Sequence, residues 1–216
     1  MPQIVLVPTS HVSPASIRAI EQAVAREKPE CIAVELDAIR YAAMQQKQRP
    51  SRGAVRSLGP TTFLMLWLFK WLQSWLGRKT GILPGEEMLS AVRLAEKQQI
   101  PYAFIDQDIR ITFLGIKAVP RREKLKLVWF LMKGFSPFSK KQKIDLRNVP
   151  PKTMIREAMG VFQREFPGLY QALVHERDIA MSHALLNLTK EYRTIVAVVG
   201  AGHEAGVTAH INQHQQ

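Results

Sequence analysis

Ile195-Val196-Ala197-Val198-Val199-Gly200-Ala201-Gly202-His203 is the stretch that decides the fold. Five consecutive apolar residues, four of them β-branched, predict a strand buried on both faces, as in the middle of a parallel sheet. The two glycines after them allow a tight turn, so His203 opens a helix just past the strand end. A similar construction stands near the start, where Ile4-Val5-Leu6-Val7 leads into Pro8-Thr9-Ser10-His11. Cys31-Ile32-Ala33-Val34 leads into Glu35-Leu36-Asp37, and Tyr102-Ala103-Phe104-Ile105 leads into Asp106-Gln107-Asp108. If these strands run parallel in one sheet, their ends share an edge, where open α/β folds bind ligands. His11, Glu35 and His203 then converge, with Asp106 placed likewise. Two imidazoles and a carboxylate suit a divalent metal with a position left for water.

Helical patterns fill the intervals. Ser13 suits an N-cap and Pro14 a first helical position. Ile17, Ile20, Ala23 and Val24 then form an apolar stripe that Pro29 ends. A short helix is expected over 38–48, and Arg49–Gly53 reads as a loop. A helix from Gly85 to about Gln99 turns Met88, Ala91, Val92 and Ala95 inward. A long helix is expected over 167–192, and a closing one from about His203. The fold class is therefore α/β, a mostly parallel central sheet flanked by helices. It forms a single domain over 1–216 with inserted amphipathic helical segments at about 54–80 and 117–150.

Those inserted segments have their own character. Trp67, Trp71 and Trp75 recur every fourth residue beside Phe63, Leu64, Leu68 and Leu72, which makes one aromatic stripe on a helix. Leu125–Met132 is a second amphipathic stretch, and lysine and arginine flank both. The stretch from Ser136 to Pro151 reads as a loop. Two expectations stay open for the stripes: packing on each other or on a twin subunit as a homodimer, or docking on an anionic membrane surface.

Composition bounds the rest. With 216 residues, 46% hydrophobic, the chain is long enough for a well-buried domain. A single cysteine rules out an internal disulfide. Met1-Pro2-Gln3 runs straight into a strand, which reads as no signal peptide. The longest apolar block, Phe63 to Leu76, is broken by Lys70, Gln73 and Ser74. The expected location is cytoplasmic, with peripheral membrane association. A net charge of +12 favours anionic partners, yet no recognisable nucleic-acid module is present, so no specific nucleic acid is expected.

Among the candidate residues, Glu35 and Asp106 each come directly after a buried strand, where a carboxylate needs a partner. Arg177 and Arg110 are the cations that could neutralise them. Asp37 and Asp108 read as helix N-caps, and Cys31 as a small core residue. Gly200-Ala201-Gly202-His203-Glu204-Ala205 fits a loose dinucleotide fingerprint, but no strand with a trailing acid comes after it. His175 and His183 lie eight apart on one helix and read as core-edge or surface residues. His210 and His214 lie four apart, a metal-binding spacing in a polar terminal setting.

Six segments in order resemble the TraB/PrgY family, whose relatives include the TIKI proteins. They are Thr9-Ser10-His11-Val12-Ser13, Val34-Glu35-Leu36-Asp37, Pro84-Gly85-Glu86-Glu87-Met88, Ile105-Asp106-Gln107-Asp108-Ile109, Glu176-Arg177-Asp178 and Val198-Val199-Gly200-Ala201-Gly202-His203. The resemblance implies an α/β core like that of erythromycin esterases and the haem-binding ChaN proteins. It also implies a site of two G-x-x-H motifs and a glutamate, proposed in TIKI proteins to support metal-dependent proteolysis. Those positions are His11, His203 and Glu35 here. Pro8 stands where the first motif has glycine, and Gln107 where the family commonly has arginine.

The expectation drawn from residues and resemblance together is a peptidase-like hydrolase acting on a signalling peptide or similar substrate. His11, His203 and Glu35 would hold a divalent metal ion, Mn, Co or Zn, and Glu35, Arg177 and Asp106 would be the catalytic residues. The alternative is a non-catalytic protein that sequesters a peptide or binds membrane through its tryptophan-bearing basic helices.

Overall fold

In a computed structural model of the chain, the described residues are 2–10, 14–45, 85–134 and 151–214. Four parallel strands, β1 (Gln3–Thr9), β2 (Cys31–Val34), β3 (Tyr102–Phe104) and β4 (Thr194–Gly200), form one sheet in the order β1-β4-β2-β3. The last strand in sequence thus lies between the first and second. This explains its unbroken apolar run, because β4 is buried from Ile195 to Gly200 and β2 throughout.

Side-chain alternation divides the core into two layers. Val196 and Val198 of β4, with Ile32 and Val34 of β2, pack on α1 (Pro14–Glu27) and on a helix at Glu86–Gln98. Ile195, Ala197 and Val199, with Cys31 and Ala33, face the opposite way. They meet Met181, Leu185, Val207 and Ile211 from two C-terminal helices. Each fully buried Ile or Val in these layers contributes about 1.5–3 kcal/mol by leaving water.

In chain order α2 is Ala38–Gln45, α3 Glu86–Gln98, α4 Ile109–Ala118, α5 Arg121–Gly134 and α6 Lys152–Glu165. Left-handed residues bracket α3, Gly85 at φ 90° before it and Gln99 at φ 57° after it. At Gly85 a Cβ would also meet Met44 Cε at 2.6 Å, the end of a flexible side chain that can move aside, so it is the positive φ that calls for glycine. Phe166, Leu169 and Ala172 join Ile116, Val119, Leu127 and Val128 in a third cluster beside the sheet.

The helix expected over 167–192 is present over 167–188, with a π-helical segment inside it. It comprises α7 (Pro167–Tyr170), a π-helical segment (Gln171–His175) and α8 (Glu176–Leu188). A π turn inserts extra backbone into the helix and so re-aims the residues immediately after it, here Arg177 and Asp178. The closing helix, α9, is Glu204–His214. Helix α6 had not been anticipated. The tryptophan stripe at Trp67, Trp71 and Trp75, the 54–80 insertion and the loop from Ser136 lie outside the described residues, as does His11. No helix among the described residues is long and apolar enough to cross a membrane.

Candidate active site at the end of the sheet

Register brings the candidate residues together. Thr9 pairs with Gly200, and Val34 pairs with both Val198 and Phe104, so the strands end nearly level. Glu35, Asp106 and His203 come within one to three residues of these ends. Backbone bonds continue past the strands: Glu35 N–H donates to Val198 O at 3.0 Å and Asp106 N–H to Leu36 O at 3.2 Å. Ala201 N–H donates to Thr9 O at 2.9 Å, which ties the glycine turn to the end of β1, two residues before His11. The position of His11 itself is outside the described residues.

Arg177 is the hub. Its Nε donates to Asp106 Oδ1 at 3.0 Å and its Nη2 to Asp106 Oδ2 at 2.8 Å, a bidentate fork. Nη2 also donates to Glu35 Oε1, and Nη1 to Leu173 O at 3.3 Å inside the π segment. Nη1 lies 3.0 Å from His203 Nε2. Burial alone would lower the Arg177 pKa, but the charges and hydrogen bonds of Glu35 and Asp106 outweigh it. The guanidinium is held above the usual arginine value. It is a fixed cation.

Two residues not singled out from sequence complete the network. Asp178, 2% exposed, places Oδ1 2.6 Å from His203 Nδ1. A buried carboxylate at Nδ1 fixes the proton there and leaves Nε2 as an acceptor, consistent with Arg177 donating to it. Arg40 Nη1 gives Asp106 Oδ2 a second cation at 2.9 Å. Asp178 was visible beside Arg177 in sequence, but nothing in the spacing told that successive residues of α8 would serve one site. Arg40 carried no sequence signal at all.

Other assignments divide. Asp37 caps α2, with Oδ1 accepting from Ile39 N at 2.9 Å and Arg40 N at 3.0 Å, and Asp108 Oδ1 accepts from Arg110 N at 2.8 Å. Arg110 does not neutralise Glu35 or Asp106; it pairs with Asp108 on the exposed side. Gln107, where an arginine would stand in the resembled family, turns Nε2 to Thr112 Oγ1 at 2.9 Å. Asp106 takes its positive charge from Arg177 and Arg40 instead.

Glycines let the parts approach. A Cβ on Gly206 would fall 2.0 Å from Asp178 Oδ2 and 3.2 Å from Asp178 Cβ, so the carboxylate beside His203 requires glycine there. A Cβ on Gly202 would come within 3.0 Å of Met159 Cε. Helix α6 thus rests on the turn before His203, and Lys152 at its start pairs with Glu204 at 2.7 Å.

Chemically, the cluster offers an imidazole held by a carboxylate at Nδ1, a fixed guanidinium and three buried carboxylates, those of Glu35, Asp106 and Asp178. His203 Nε2 and Glu35 Oε1 lie 3.4 Å apart.

Comparison with known proteins places this chain in a family. The model of the TraB/PrgY/gumN family matches residues 2–216. An uncharacterized protein of Methanocaldococcus jannaschii is 31% identical over 217 residues, covering 97% of this chain and 53% of its own length. TraB domain-containing proteins of Bos taurus and Homo sapiens are each 25% identical over 236 residues, covering 95% of this chain and 61% of their own. The chain thus spans between half and two thirds of these relatives.

Proposed function

The chain belongs to the TraB/PrgY/gumN family, and from that premise we propose that it is a peptidase-like hydrolase centred on His203. One observation carries the reading: an imidazole held from behind by buried Asp178, with Nε2 turned toward Glu35 and Arg177. A carboxylate at Nδ1 keeps Nε2 free to take a proton. When a water or substrate hydroxyl replaces Arg177 Nη1 at that nitrogen, His203 acts as general base. Arg177, fixed by Asp106 and Glu35, faces the negative charge that develops on a carbonyl oxygen. Asp106 and Glu35 hold the guanidinium in place, and Glu35 also accepts from the Gly200 N–H.

The family resemblance also implies a divalent ion, Mn, Co or Zn. The donor chemistry fits one: His203 Nε2 and Glu35 Oε1 are the ligands from the described residues. Asp178 stands behind the imidazole as carboxylates do behind metal-bound histidines. His11 is the third donor expected from sequence, and among the described residues no three His, Cys, Asp or Glu side chains form a metal cage. Bound there, the ion would supply Lewis-acid chemistry. Arg177 Nη1 and the general-base role use the same lone pair of His203, so with an ion bound there His203 would serve as a ligand and not as the base, and the Arg177 contact would be given up.

The test is cleavage of a fluorogenic peptide library, with and without added Mn²⁺, Co²⁺ or Zn²⁺, by wild type, His203→Ala and Asp178→Asn. Cleavage abolished in His203→Ala and reduced about 10²–10⁴-fold in Asp178→Asn is expected. Turnover that survives His203→Ala, or no turnover by folded wild type with any of the ions, refutes the proposal.

A second reading, peptide or anionic-membrane binding without catalysis, draws support from α5. Leu125, Trp129, Phe130 and Met132 are each about half or more exposed beside the exposed Arg121 and Arg122. Co-sedimentation with anionic vesicles that is lost in Leu125→Ser/Met132→Ser but kept in His203→Ala would favour it.

A further inference from the structure

Four of the six histidines stand outside the site, on the π segment, α8 and α9. They meet in two pairs between these C-terminal elements: His175 and His210 with ring centroids 5.5 Å apart, His183 and His214 with centroids 5.4 Å apart. Neither pair is stacked face to face, the rings being inclined at 49° and 80°. Imidazoles that share one ion, each with a nitrogen about 2.0–2.1 Å from it, have centroids roughly 5 Å apart. At 5.4 and 5.5 Å both pairs are close enough to share one ion, and the same spacing is that of an ordinary edge-on ring contact.

A second observation concerns protons. His214 Nδ1 lies 2.9 Å from His210 O, one helical turn back, so that nitrogen carries the hydrogen and donates it. Nε2 of His214 is left with its lone pair, the tautomer that metal-bound histidines adopt when the other nitrogen donates to a backbone carbonyl. His183 and His214 are both exposed, so an ion reaches them from solvent without opening the fold.

We propose that the His183–His214 pair, with His175–His210 as its neighbour, is a second metal site that takes a borderline transition-metal ion of the Zn²⁺, Ni²⁺ or Cu²⁺ type. Among the described residues no third His, Cys, Asp or Glu gathers there, so solvent completes the coordination. Two neutral imidazoles with water select these ions over Mg²⁺ and Ca²⁺. The ion cross-links α8 to α9. Helix α8 carries Arg177 and Asp178, and α9 begins at Glu204, so the cross-link tightens the two helices that frame His203. A metal titration of the whole chain therefore reads two places, and only one of them is His203.

The experiment is thermal unfolding and Cu²⁺ electron paramagnetic resonance on the tag-free chain. Wild type and His203→Ala are compared with His183→Gln/His214→Gln, His175→Gln/His210→Gln and the four-fold variant. With Ni²⁺ or Zn²⁺ at about 100 times the dissociation constant, wild type and His203→Ala should rise by roughly 5–10 °C. In the His203→Ala background, His183→Gln/His214→Gln should lose most of that rise and the four-fold variant all of it. The Cu²⁺ spectrum of wild type should carry the hyperfine pattern of two imidazole nitrogens. The proposal is overturned if the four-fold variant, folded by circular dichroism, responds as wild type does. It is equally overturned if the response vanishes in His203→Ala, or if none of the three ions binds.

Discussion

Replacing Arg177 by methionine keeps an unbranched apolar stem and removes the guanidinium with its charge. The side chain is 14% exposed and faces Glu35 and Asp106, both 2% exposed. Removing one partner of a buried ion pair costs about 3–5 kcal/mol, because the opposite charge stays in a poor solvent. Asp106 keeps Arg40, which sets the expectation toward the lower figure. For a chain of this size each kcal/mol is about 2–4 °C in Tm, so a fall of roughly 6–15 °C is expected. The sign of the pH dependence comes from the same cause. In the variant, Glu35 is a buried carboxylate without the guanidinium that faced it, so burial raises its folded pKa above the unfolded value. Such an acid costs stability above its folded pKa, and the cost is recovered as pH falls. The gap between wild type and Arg177→Met should therefore narrow from about pH 8 to about pH 5, measured by urea unfolding at several pH values. A loss below about 1 kcal/mol, or a gap that does not change with pH, would refute the idea that this guanidinium neutralises the site.

Three further outcomes are expected. Gly206→Ala should destabilise by about 1–3 kcal/mol, although alanine in a helix is otherwise favoured by about 1 kcal/mol. The new Cβ collides with Asp178, and the proposed hydrolysis should fall further than the stability loss explains. Arg40→Met should cost on the order of 1 kcal/mol in chemical denaturation, less than Arg177→Met, because Arg40 is one-third exposed. Burial, and to a lesser degree the charge of Glu191, push the Cys31 thiol up to about 11. Native protein at about pH 8 should therefore resist a thiol reagent that labels the urea-unfolded chain at once.

Much of this architecture was legible in sequence because a central parallel strand has no polar face to disguise it. Ile195–Val199 and Cys31–Val34 are apolar on both sides, and the residues just beyond each strand land on one sheet edge by topology alone. That rule gathered Glu35, Asp106 and His203 without any contact information. It could not reach Arg40 or Asp178, whose roles depend on how far helices reach back over that edge. Helix α6 was missed for a local reason. Ile155, Met159 and Phe162 have helical spacing, but they follow the lysine- and proline-rich stretch from Ser136 to Pro151 that reads as loop, and no element was assigned between it and Pro167. The helix expected over 167–192 is there from 167 to 188, but its π turn at Gln171–His175 was not foreseen, since it leaves the 3.6-residue pattern nearly intact.

The claim that matters most is that Asp178 pins the proton of His203 on Nδ1 and leaves Nε2 as the reactive nitrogen. Nitrogen-15 NMR of the histidine rings, with His203→Ala to assign the signal, measures this directly. The expected spectrum shows His203 as the Nδ1–H tautomer, with that proton far downfield and lost in Asp178→Asn. A His203 ring carrying its proton on Nε2, or one indifferent to Asp178→Asn, contradicts the account.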